Sequence, residues 1–153
     1  MKIGKHLTLN DLTASATATR FNIDNTPSQE VIDNLTNIVK SIYDNLSEHI
    51  AGVHVSSGYR SVKLNKKIGG SITSQHCKGQ ALDLVIIANG NNSNATIFNY
   101  ILHNLDFDQM IWEFGTDKNP DWVHVSYEAN GDQRGQVLKA IKKSGKTAYV
   151  SYI

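Results

Sequence analysis

The sequence predicts an α+β fold on three observations. Helical spacing comes first in the chain, strand-like runs make up most of the rest, and the two do not alternate as βαβ units would. A chain of 153 residues is long enough to bury about 68–70% of its extended surface. Without an internal repeat, linker or composition break, it is expected to form one domain over residues 1–153.

The elements follow in order. Asn10-Asp11-Leu12-Thr13 opens an Ala- and Thr-rich segment to Arg20, read as a short capped helix. Pro27 precedes a capping Ser28, and Val31, Leu35, Ile38, Val39, Ile42 and Leu46 recur at helical spacing. They predict a helix over about 28–48. Val53-His54-Val55-Ser56 alternates as a half-buried strand, and Ser57-Gly58-Tyr59-Arg60 turns the chain. A short helix through Val62, Leu64, Asn65 and Ile68 then ends at Gly69-Gly70. Gly79 to Ala88 is apolar on both faces, which predicts a central strand in which Asp83 is the one charge. Residues 89–94 are read as a loop and Ala95 to Leu105 as a helix. Asp108 to Phe114 and Trp122 to Tyr127 are read as strands joined by the polar turn 115–120. The tail, 135–141 and 147–153 around Lys143-Ser144-Gly145-Lys146, reads as a terminal hairpin.

Fifteen basic and fourteen acidic residues give a net charge of +1, and no basic–aromatic stripe stands out, so nucleic acid is not an expected partner. Lys139, Lys142, Lys143 and Lys146 read as a solvated hairpin rim. A single cysteine, Cys77, excludes an internal disulfide. On an extended backbone it would point away from His76, which argues against its being a metal ligand. The N-terminus has no signal-peptide core and no window reaches the length of a membrane span. The expectation is a monomer without membrane insertion, stored in the cytoplasm.

Three residues carry the chemistry. His76 and Asp83 lie in Ser74-Gln75-His76-Cys77-Lys78-Gly79-Gln80-Ala81-Leu82-Asp83, and His124 lies in Asp121-Trp122-Val123-His124-Val125-Ser126. Two imidazoles and a carboxylate leave one position of a tetrahedral zinc open for water, the arrangement of hydrolytic sites. A carboxylate inside an apolar strand is costly unless paired or metal-bound, so Asp83 is the hardest of the three to explain otherwise. If both strands carry ligands, they must be neighbours. His6, His49, His54 and His103 have no carboxylate at a ligand-like position and receive no site role. Asp121 and Glu113 are the candidate bases. Asp121 precedes His124 by three residues and would face away in a flat strand, so it qualifies only if it sits at an irregular strand entry after Pro120. Arg60 is the candidate partner for a developing oxyanion or a substrate carboxylate.

Ser-Gly-Tyr-Arg-Ser (57–61), Asn65, Gly69-Gly70, Ser-x-His-x-x-Gly-x-Ala-x-Asp (74–83) and Asp-Trp-x-His-x-Ser (121–126) together resemble the D-alanyl-D-alanine carboxypeptidase family of zinc peptidases. Leu9-Asn10-Asp11-Leu12-Thr13 and Ile23-Asp24-Asn25-Thr26-Pro27 look like the lead-in of small phage and prophage members. The resemblance implies a hedgehog/D,D-peptidase fold, with N-terminal helices on a mainly antiparallel sheet that bears one zinc per chain. It implies His76, Asp83 and His124 as ligands, Asp121 as base, Arg60 as stabiliser of the transition state and Ser74 as a substrate contact. Many members carry glutamate as base, which keeps Glu113 in play.

The implied activity is hydrolysis of peptidoglycan stem peptides by zinc-activated water, at the D-Ala-D-Ala bond or, as in an endolysin, the L-Ala-D-Glu bond. The protein would act on the cell wall after host lysis or from a virion. The rival reading is a zinc-containing, catalytically weak wall-binding or virion structural domain.

Overall fold

Local capping sets the N-terminal elements of the computed structural model, which describes residues 1–87 and 90–153. A two-stranded ribbon, β1 (Lys2–Ile3) and β2 (Leu7–Thr8), runs directly into α1 (Leu9–Thr13). Thr8 and Asp11 form a capping box there: the Asp11 carboxylate accepts from the Thr8 N–H at 2.7 Å, and the Thr8 hydroxyl accepts from the Asp11 N–H. The single helix expected to Arg20 is two, because Ala14 is extended and Ser15 caps a new helix, α2 (Ala16–Arg20). Without a continuous apolar stripe, nothing opposes a serine that satisfies backbone donors of its own.

The helix expected over 28–48 runs from α3 (Gln29–Ile38) through a π-helical turn (Val39–Tyr43) into α4 (Asp44–His49). Ile38 and Val39 are adjacent and both fully buried. The wider turn, closed by the Asp44 N–H on the Val39 carbonyl, rotates the buried stripe so that Ile42, Tyr43 and Leu46 still face the core.

Among the described residues six strands form the main sheet: β3 (Val53–Ser57), β4 (Ala81–Ile86), β5 (Gln109–Glu113), β6 (Trp122–Ser126), β7 (Gln136–Lys143) and β8 (Lys146–Ser151). Their order is β3-β4-β6-β5-β7-β8, antiparallel throughout except for the parallel β5/β7 pair. The α+β expectation with a mainly antiparallel sheet therefore holds. β4 is shorter than the 79–88 run, because Gly79 belongs to the preceding turn and Ile87 lies beyond the last strand residue; Ala88, like Asn89 of the expected loop, is outside the described residues. The terminal hairpin closes through Ser144 and Gly145, both at positive φ, as a two-residue loop requires. Its parallel docking on β5 has no local signature, since pairing partners are chosen by tertiary packing.

Alternation along the strands divides the sheet into two faces. Leu82, Leu84, Met110, Trp112, Val123 and Val125 point to a core shared with the long helix and with α6 (Asn94–Asn104), through Leu35, Ile42, Phe98 and Ile101. The opposite face carries Asp83, His124, Ile111, Glu113, Leu138 and Tyr149, which line a cavity. The remaining helix, α5 (Val62–Lys67), follows β3 and is capped by Ser61.

Candidate metal centre and active site

His76 owes its place to a short 3₁₀ turn, Gln75–Lys78, rather than to an extended lead-in. The Ser74 hydroxyl caps the turn by accepting from the His76 N–H, and Gly79 ends it at φ 72°. A Cβ at Gly79 would sit 2.7 Å from the Val31 carbonyl oxygen. Glycine is required here because helix α3 packs directly against the turn. Cys77 lies in the same turn, so the extended-backbone argument against it does not apply; it nevertheless stands outside the cluster of donor atoms. Burial pushes its thiol up.

Asp83 and His124 are direct cross-strand partners in the β4/β6 register, so a sequence gap of forty-odd residues closes to one rung. His76 Nε2 lies 3.2 Å and His124 Nδ1 3.1 Å from Asp83 Oδ1. Donors around a tetrahedral zinc at about 2.0–2.1 Å lie roughly 3.3 Å apart, so the spacing suits that ion. The protonation pattern suits it as well. His76 Nδ1 is 2.7 Å from the Gly58 carbonyl oxygen, which can only accept, so Nδ1 carries the hydrogen. Nε2 is then the ring nitrogen turned toward the Asp83 carboxylate, on the side a metal would occupy. Burial pushes the Asp83 carboxyl up, but His76 and His124 outweigh it and hold the group well below the usual carboxylate range. Among the described residues these three are the one group of side chains placed to hold a metal.

Arg60 approaches the same carboxylate, with Nη2 3.4 Å from Asp83 Oδ2 and Nη1 donating to Asn65 Oδ1 at 3.3 Å. Its Nε is buried with no hydrogen-bond partner among the described residues. Ser74 lines the cavity, so its hydroxyl combines a capping role with access to the site.

The two candidate bases are placed differently. Glu113 lines the cavity and is 7% exposed; burial raises its carboxyl to about 7, with Asp83 adding to the rise and His124 and Arg60 opposing it. Asp121 is exposed, one residue before β6, with its N–H donated to the Glu113 carbonyl, and it is not part of the cavity wall. The chain bends at Asp121 just ahead of β6, and the residue there is exposed.

The cavity measures about 620 Å³. Its far wall comes from the C-terminal hairpin and the segment leading into it, through Arg134, Gln136, Leu138, Thr147 and Tyr149. None of these stood out in the sequence; the two-residue alternation of β7 and β8 was the only available signal, and it does not say which face meets a site. Arg134 is tied back by a bidentate pair to buried Asp108, with Nε at 3.0 Å and Nη2 at 2.8 Å, and Asp108 also accepts from Gln75 beside His76. A second, shallower cavity of about 680 Å³ beside Lys5 and Asp44 contains no comparable donor group.

The family model of Peptidase M15 matches residues 5–126. The chain belongs to that family, which comprises zinc peptidases of the D-Ala-D-Ala carboxypeptidase-like kind. Membership makes it a metallopeptidase with a peptidoglycan-related substrate in general terms. No curated protein matches the chain. Among the described residues no helix is long and apolar enough to cross a membrane.

Proposed function

We propose that residues 1–153 act as one zinc peptidase domain that hydrolyses the stem peptides of peptidoglycan, with one zinc per chain held by His76, Asp83 and His124. The observation that carries this reading is the donor group itself: two imidazole nitrogens converging on one carboxylate oxygen at 3.1 and 3.2 Å on the floor of an open cavity. A zinc bound there supplies Lewis acidity toward water and a peptide carbonyl.

The chain's own residues do the rest. Glu113, rather than Asp121, takes the proton from the attacking water and returns it to the leaving amine, because a carboxyl near 7 in the cavity can exchange a proton at neutral pH. Arg60 donates to the oxygen that gains charge in the tetrahedral transition state, and its guanidinium needs no reorganisation because Asp83 and Asn65 already hold it. Ser74 offers its hydroxyl to substrate from the cap of the His76 turn. Release onto the wall during lysis or from a virion is part of the reading; protein in the medium before any lysis would argue against it.

Mass spectrometry of digested sacculi tests the reaction. Free D-alanine identifies a carboxypeptidase and new D-Glu amino termini an endopeptidase, whereas no release from several wall types would replace both with a wall-binding domain. Elemental analysis tests the metal: about one zinc per wild-type chain is expected, and a zinc-free wild type overturns the site.

A further inference from the structure

We propose that Tyr149 is a substrate-binding residue of this cavity, its phenol donating a hydrogen bond to a backbone carbonyl of the bound peptide at the end opposite Arg60. This rests on the peptidase reading above and assigns a role to the C-terminal hairpin, which lies beyond the residues matched by the family model.

Register places the side chain. Trp122, Glu113, Ala140 and Tyr149 form one row across β6, β5, β7 and β8. Partners in one row project to the same face, and Trp122, Glu113 and Tyr149 all line the cavity. The residue between Glu113 and Tyr149 is an alanine, fully buried. With strands about 4.8 Å apart, β8 lies roughly 10 Å from β5, and only a methyl group projects between the glutamate and the tyrosine.

The phenol is suited to donate. It has no hydrogen-bond partner among the described residues, and burial, Glu113 and Asp83 push its ionisation up, so it keeps its proton at neutral pH. The residue is 57% exposed, so the core does not need it. Strand order then sets the geometry of binding. Arg60 contacts Asp83 on β4 at one end of the row system, Tyr149 stands on the edge strand at the other, and the donor group and Glu113 lie between. A peptide laid across the sheet would meet Arg60 at its reacting carbonyl and Tyr149 at a carbonyl further along, toward the hairpin.

The test compares zinc-loaded wild type, Tyr149→Phe and, as a hairpin control on the opposite face of β8, Val150→Ala. Calorimetric titration with a soluble stem pentapeptide gives Kd, and peptidoglycan turnover gives kcat and KM. Tyr149→Phe is expected to raise Kd and KM about tenfold, with kcat within about twofold and zinc content and thermal midpoint unchanged. Val150→Ala should match wild type. Unchanged Kd and KM in Tyr149→Phe overturn the proposal, as does equal weakening in Val150→Ala or a wild type that binds no stem peptide. A wild type that binds peptide tenfold more tightly than Tyr149→Phe yet turns nothing over keeps this inference and removes the peptidase reading.

Discussion

The paired strands β4 and β6 and the hairpin β7–β8 face the same cavity under opposite constraints. Val123 and Val125 on β6 and Leu82 and Leu84 on β4 are fully buried, and the opposite faces of these strands bring Asp83 and His124 together. A slip of one residue would bury the donors and expose the core, so here hydrophobic packing and chemistry enforce one register. The hairpin is mostly exposed, apart from Ala140, and is pinned by its parallel pairing to β5 and by Arg134 on Asp108. The difference teaches that the candidate ligands sit in the part of the sheet that cannot shift, while the far wall of the cavity comes from a part that buries little.

The sharpest break in the comparison comes from the buried pair. His76→Ala or Asp83→Ala should reduce bound zinc to less than about a tenth of wild type and abolish turnover, because a ligand is lost from a set of three; retention of full zinc in both variants would refute the assignment. Glu113→Gln should keep its zinc yet lower kcat by about 10²–10⁴, whereas Asp121→Ala should stay within about twofold of wild type. The reverse result would make Asp121 the base.

The raised Glu113 carboxyl also predicts a pH dependence. As the proposed base it must be ionised, so kcat/KM should rise through an acid limb near 7, and Glu113→Gln should lose that limb. For stability the sign is opposite. A folded value above the unfolded one contributes stability that is fully present below the unfolded value and is lost as pH rises through about 7, so Glu113→Gln should gain thermal stability over wild type at pH 8 but not at pH 4.

Smaller effects belong to the hairpin's anchor. Arg134 first, with its backbone N–H and Gln75, holds Asp108 below the usual carboxylate range against burial. The stability this pairing adds is present above the unfolded value and is lost as pH falls. Asp108→Ala should therefore destabilise by about 2 kcal/mol at neutral pH, with the difference from wild type shrinking in acid denaturation curves. Least of all, Lys139→Ala, which breaks a pair with exposed Asp117, should leave the thermal midpoint unchanged.

Much of the fold was legible because its signals are local or periodic. Ser28 and the apolar stripe announced the long helix, and the apolar run around Asp83 announced an interior strand. The π-turn was hidden, since Ile38 and Val39 fit an ordinary helical stripe until both had to be buried. His76, Asp83 and His124 could be singled out because each is a donor in a motif, and Asp83 because a lone carboxylate in an apolar strand needs a partner. Arg134 and Tyr149 could not, because an arginine and a tyrosine in a tail hairpin look the same whether they face solvent or a cavity.

By itself, then, the sequence determined the long helix, most of the strands, the ligand candidates and the chemical class, because capping, periodicity and donor chemistry are properties of residues and their near neighbours. Tertiary structure alone decided that Asp83 and His124 share a rung, that Glu113 rather than Asp121 borders the cavity, and that β7 docks parallel on β5 to bring Tyr149 over Ala140. Those outcomes depend on which strands pair and which face is buried, and both are settled by packing the whole sheet against one core.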